Sequence, residues 1–158
     1  MILMRKVSLF KLLLVFGLTF VLAGCWFDNG QSNTNEMNVA GTWRASVRVD
    51  SCSPSNVCSQ AGFQQGQTFN AVMTLHQNGS SVDGTYTYEG ANLSADVSGN
   101  ISGSRLTLNG NVQNPFGKAT VAFVGTVSNS VIDATVSHNV TLFDGRAGTV
   151  GGSGNFTR

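Results

Sequence analysis

The sequence predicts an all-β fold: a small eight-stranded antiparallel up-and-down barrel over residues 39–158, behind an N-terminal leader and a polar tether. Three observations predict it. From Val39 onward, apolar and polar residues alternate in short segments, the pattern of strands with one buried face. Good helix formers are scarce there, while Gly, Thr, Val and Asn abound. Most segments are joined by short turns, which suit local hairpins around a barrel better than the long crossings of a sandwich.

Residues 1–24 read as a secretory signal peptide. Arg5, Lys6 and Lys11 give a positive start, Leu12–Gly24 is uncharged and mostly apolar, and small residues precede Cys25. The uncharged run ends at Asp28, short of the ~20 apolar residues a membrane-spanning helix needs. Leu22-Ala23-Gly24-Cys25 resembles the lipobox of bacterial lipoproteins. The resemblance implies cleavage before Cys25, a diacylglycerol on its sulfur, and acylation of the new amine. Two or more acyl chains anchor a protein stably, where one holds it only marginally. The expected partner is therefore the membrane, through this lipid. By the same resemblance, Trp26 in place of an aspartate implies a bacterial outer-membrane location in the cell envelope.

Residues 25–38 form the lipidated cysteine and a polar segment without apolar periodicity, read as a flexible tether. Of nine Lys and Arg residues, three lie in the leader, so six face eight acidic residues in the mature chain, a net charge of −2. No basic stripe is present, and nucleic acid is not an expected partner.

The strands follow in order. The first puts Val39, Gly41, Trp43, Ala45, Val47 and Val49 on one face. A long connection, about 50–67, carries Cys52 and Cys58; an even pair in an exported chain reads as a disulfide. Closing so short a loop stabilises by roughly 2 kcal/mol. The second strand, 68–77, turns Phe69, Ala71, Met73 and Leu75 inward, and Asn78-Gly79 signals a hairpin. The third, 81–88, turns Val82, Gly84, Tyr86 and Tyr88 inward. Next come 92–101 with Leu93, Ala95, Val97 and Ile101, and 104–112 with Leu106 and Leu108. Then 119–128 carries Val121, Phe123 and Val127, and Asn129-Ser130 turns the chain into 131–141, with Ile132, Ala134 and Val136. The last, about 147–157, is glycine-rich and ends in Phe156. The opposite face of each strand is largely Thr, Ser, Asn, Asp and Arg, so the apolar face points inward and not toward lipid.

Gly41-Thr42-Trp43 at the start of the first strand resembles the G-x-W of lipocalin, avidin and fatty-acid-binding (calycin-type) barrels. The resemblance implies a tryptophan at the closed end, packed beneath a basic residue from near the last strand; Arg158 is the candidate. A guanidinium over an indole face gains a cation–π contact. The avidin likeness extends to Val82-Asp83-Gly84-Thr85-Tyr86, but the mature chain has only Trp26 and Trp43, so biotin binding is not implied.

Chemistry is sparse. His76 and His138 are the only histidines, and both are expected at the surface. The cysteine spacing is not C-x-x-C and no histidine lies beside it, so no metal site is expected. No nucleophile–base motif or paired carboxylates stand out; neither a cofactor nor an enzyme activity is expected. Gly148, Gly151, Gly152 and Gly154 read as close packing rather than a phosphate loop. The candidate ligand-lining residues are Phe69, Met73, Tyr86, Tyr88 and Phe123, the tyrosines each bringing apolar area and one hydroxyl. Three functions stay open: an anchored barrel holding a small apolar molecule; a protease inhibitor or protein-interaction module working through its loops, with an envelope protein as partner; and a structural envelope lipoprotein without ligand.

Overall fold

A computed structural model describes residues 36–89, 93–114 and 117–158. The expected signal peptide, Cys25 and most of the tether lie outside the described residues. The strands are β1 (Gly41–Ser53), β2 (Thr68–Asn78), β3 (Ser81–Glu89), β4 (Leu93–Ser102), β5 (Arg105–Asn114), β6 (Gly117–Ser128), β7 (Val131–Leu142) and β8 (Ala147–Thr157). Each pairs antiparallel with the next in sequence, and β8 pairs with β1 to close the barrel. The all-β, eight-stranded up-and-down barrel expected from the alternation is the fold observed.

Alternation carries through to packing. Along β7 every second residue from Ile132 to Leu142 is buried, because successive side chains in a strand point to opposite faces. At one end, the floor, three hairpins turn through two residues each. Asn78 pairs with Ser81, Ser102 with Arg105, and Ser128 with Val131. The first turn residue is left-handed every time: Gly79 at φ +59°, Gly103 at +58° and Asn129 at +51°. These are residue types that tolerate such a backbone. The Asn78-Gly79 signal thus marks the hairpin, but the turn is Gly79-Ser80, and Asn78 stays in the strand.

Three local details depart from expectation. Strand β1 runs on to Ser53, past its expected end near Val49. The connection after it is not all irregular: Ser55–Gln60 forms a helix, α1, that buries Val57 and Cys58. Gly41 is exposed and does not share in the core of its strand, while Ala45 is half-buried and packs against that core.

The closing seam explains the glycines of β8. A side chain on Gly152 would lie 2.6 Å from the Arg48 carbonyl oxygen, nearer than a carbon can approach. Close strand packing requires the glycine at this position.

Candidate functional site

The floor is built on Trp43, which is fully buried. Its indole N–H donates to the Val39 carbonyl at 2.8 Å. The Arg158 guanidinium carbon sits 4.5 Å from the ring centroid, and its Nη2 donates to the carbonyls of Asn38 at 2.6 Å and Ala40 at 3.2 Å. Trp43 and Arg158 therefore meet as the resemblance implied. The Met37 amide donates to the Gly103 carbonyl at 3.0 Å, and the Val39 amide to Gln77 Oε1 at 2.7 Å. Met37 and Asn38, placed with the tether by composition, are thus bound to the domain.

From the floor to the open end, the mouth, the interior is a column of rings. Phe156 meets Phe123 at 5.4 Å between centroids, and both face Tyr86, at 6.3 and 6.5 Å. Tyr86 meets Tyr88 at 5.1 Å, and Tyr88 meets Phe69 at 5.2 Å. Phe63, from the connection after α1, lies 5.5 Å from Phe69 and closes the column at the mouth. These tilted and edge-on pairs are the arrangements that aromatic quadrupoles favour. Of the candidate lining residues, Met73, Tyr86, Tyr88 and Phe123 are buried and Phe69 is half-buried. They point inward as expected and pack on one another: the crevice among Tyr86, Tyr88, Leu93, Ala95, Val112 and His138 is too narrow for a water molecule.

Expected at the surface, His138 is instead 3 % exposed and faces the interior. Strand parity decides this: His138 continues the inward series Ile132, Ala134 and Val136, and its polar character gave the wrong side. Its Nε2 is 3.1 Å from the Tyr88 hydroxyl, and its ring stacks under Phe63 at 5.6 Å and 25°. Burial lowers its pKa to about 4, so the ring is neutral at pH 7. Burial likewise raises Tyr88 to about 12. Tyr86 rises well above its ordinary value, through burial first and then the neighbouring Tyr88. Among the described residues the Tyr86 hydroxyl and His138 Nδ1 lack a well-formed hydrogen bond. His76, by contrast, is exposed as expected, 3.5 Å from Asp83.

The rim of the mouth is braced. Cys52, near the end of β1, is disulfide-bonded to Cys58 of α1. The stretch after α1 folds back on β1: the amide of Gly66 donates to the Val49 carbonyl and that of Val49 to the Gln67 carbonyl, both at 2.8 Å. Across the rim, the β7–β8 turn is held by the Asp144–Arg146 ion pair at 2.7 Å, and Arg146 also donates to Gln60 of α1. The Arg146 guanidinium lowers the Asp144 carboxyl below its ordinary value. Within this turn Phe143 is 81 % exposed, the large apolar side chain that the described domain leaves in solvent. Among the described residues no three His, Cys, Asp or Glu side chains gather as a metal site, and no helix is long and apolar enough to cross a membrane.

The architecture defines a closed eight-stranded antiparallel barrel, consistent with the calycin-like class. No protein-family model, curated protein or solved structure matches the chain.

Proposed function

We propose that the chain is a lipid-anchored lipoprotein of the bacterial envelope whose filled barrel is a scaffold, and that it acts through its mouth loops as a protein-contact module. The observation that carries this reading is Phe143: a solvent-exposed aromatic on a turn tied to α1 by Arg146 and, through α1, to the disulfide. Aromatic and Arg side chains are enriched among the residues that dominate protein interfaces. Holding such a side chain rigidly in advance lowers the entropy cost of binding. The tight packing of the crevice among Tyr86, Tyr88 and His138 supports the same reading. The anchor rests on the lipobox, Leu22-Ala23-Gly24-Cys25.

The partner class that fits best is an envelope or secreted peptidase with an apolar specificity pocket, inhibited by insertion of the Phe143 loop. The test is a peptidase panel split between aromatic-preferring and basic-preferring enzymes. Inhibition confined to the first group, and lost in Phe143→Asp, is the expected result. An inert wild-type protein across the whole panel overturns it. The anchor is tested separately: palmitate label in the wild type and none in Cys25→Ser is expected, and an unlabelled wild type removes the lipoprotein reading.

A further inference from the structure

The disulfide at the rim joins two residues of unequal access. Cys58, in α1, is 1 % exposed. Cys52, near the end of β1, is half-buried. It lines a surface cavity of about 310 Å³ together with Ser55, Asn56, Ser59, Gln64 and Gln65. No carboxylate is among these lining residues, so none of them repels an approaching thiolate. Beyond the bond, α1 is only six residues long, well below the ~12–15 that hold a helix in isolation. Its Gln60 accepts from Arg146. Arg146 in turn closes the β7–β8 turn: its carbonyl accepts from the Leu142 amide at 2.8 Å, and the Gly145 amide donates to the Leu142 carbonyl at 3.0 Å. Phe143 stands within that turn.

We propose that the Cys52 sulfur is a site of thiol–disulfide exchange with a dithiol reductant, and that exchange there uncouples the Phe143 turn from α1. Exchange proceeds by attack of a thiolate on one sulfur, and access decides which. The reductant's thiolate bonds to Cys52 Sγ, the Cys52–Cys58 bond breaks, and its electron pair leaves with the Cys58 sulfur. The reductant's second thiolate then displaces Cys52 and closes a disulfide of its own. Two electrons pass from the dithiol, which is oxidised, to the cystine, which is reduced, and the dithiol's two protons end on Cys52 and Cys58. Without the cross-link, α1 is tied to the end of β1 by packing and backbone bonds alone, and Gln60 no longer holds Arg146 in place. The consequence for binding rests on Phe143 as the contact residue. The exchange itself does not, so an inert peptidase panel leaves the chemistry standing.

The experiment uses the full chain in mild detergent. Glutathione, a monothiol, locates the attacked sulfur: the products are trapped with N-ethylmaleimide, and the peptide carrying both cysteines is fragmented in a mass spectrometer. Glutathione on Cys52 with maleimide on Cys58 is expected, and the reverse assignment overturns the site. Dithiothreitol, a dithiol, then reduces the bond fully. A disulfide that yields to it only at urea concentrations that unfold the barrel overturns the proposal. NMR-detected amide exchange reads the uncoupling. In dithiothreitol the Ala61 and Phe63 amides are expected to exchange about thirtyfold faster, the worth of so short a cross-link. Gly145 is expected to exchange about fivefold faster, for the loss of one hydrogen bond, while Val39 at the floor stays unchanged. Unchanged exchange at Gly145 in the reduced protein overturns the coupling. Gln60→Ala, at an exposed position, is expected to speed Gly145 by the same factor with the disulfide intact, and to abolish its further response to dithiothreitol. A full response persisting in that variant overturns the route through Gln60.

Discussion

The two ends of the barrel are built on opposite principles. At the floor every polar atom described around Trp43 has a partner: indole to Val39, guanidinium to Asn38 and Ala40, Gln77 to the Val39 amide. At the mouth a histidine and two tyrosines stand in an apolar column, two of their polar atoms without a well-formed partner among the described residues, beneath Phe63 from a cross-linked connection. A satisfied network fixes one structure, while a partly satisfied one sits at the low end of local stability, where ligand-binding elements are drawn from. The difference assigns stability to the floor and responsiveness to the mouth.

That contrast can be broken or sharpened by measurement. The largest expected effect is at the floor: Trp43→Ala removes a fully buried indole and is expected to cost about 4 kcal/mol in urea unfolding. A loss under about 1 kcal/mol breaks the contrast. Next is the acid response of the mouth. His138 titrates near 4 when folded, against an ordinary value of 6.5, so between those pH values the unfolded chain takes up the proton first. Stability contributed by the neutral ring is complete above pH 6.5 and is lost as pH falls, by about 3 kcal/mol at pH 4. The titratable groups facing it, Tyr86 and Tyr88, stay uncharged throughout that range. The unfolding midpoint of the wild type is expected to fall in acid relative to that of His138→Phe, and parallel curves refute this.

Smaller effects sharpen the picture. Replacing Cys52 and Cys58 together by serine is expected to cost about 2 kcal/mol, with greater proteolysis of the connection than of the strands. Arg158→Ala is expected to cost about 1 kcal/mol through the lost cation–π contact, seen as a change in Trp43 fluorescence as well as in midpoint. Phe143→Ser is expected to change stability by less than about 0.5 kcal/mol. A clear loss there would mean that the exposed ring packs in solution, and would weaken its role as a contact residue.

The barrel was legible because period-two alternation survives in nearly every strand, and because two-residue turns announce themselves through glycine and asparagine. The floor was legible through the Trp43–Arg158 pairing that the G-x-W resemblance implied. The mouth was less so. His138 obeyed parity, yet its residue type argued for solvent; only the surrounding rings reveal why a neutral imidazole is tolerated inside. Phe63 stands alone in a polar, glutamine-rich stretch with no periodicity to show which way it points, and its place depends on the helix and disulfide that aim it. Phe143 lies one residue past the inward-facing Leu142, and neither hydropathy nor spacing shows that it is left in solvent.

The seam between β1 and β8 has a consequence for how the molecule is made. Arg158 reaches Asn38 across 120 positions of sequence, whereas the other strand pairs are consecutive in sequence, joined by short turns except for the connection with α1 between β1 and β2. Seven rungs of the barrel can assemble locally as the chain emerges, but the last contact waits for β8. Until then β1 and β8 are open edges, each able to recruit a strand from another molecule. A glycine-rich β8 offers few side chains to such a stranger, and the close approach it demands at Gly152 suits the backbone of β1. The strand that finishes the barrel is thereby a poor partner for anything else, which protects the chain during the interval before it closes.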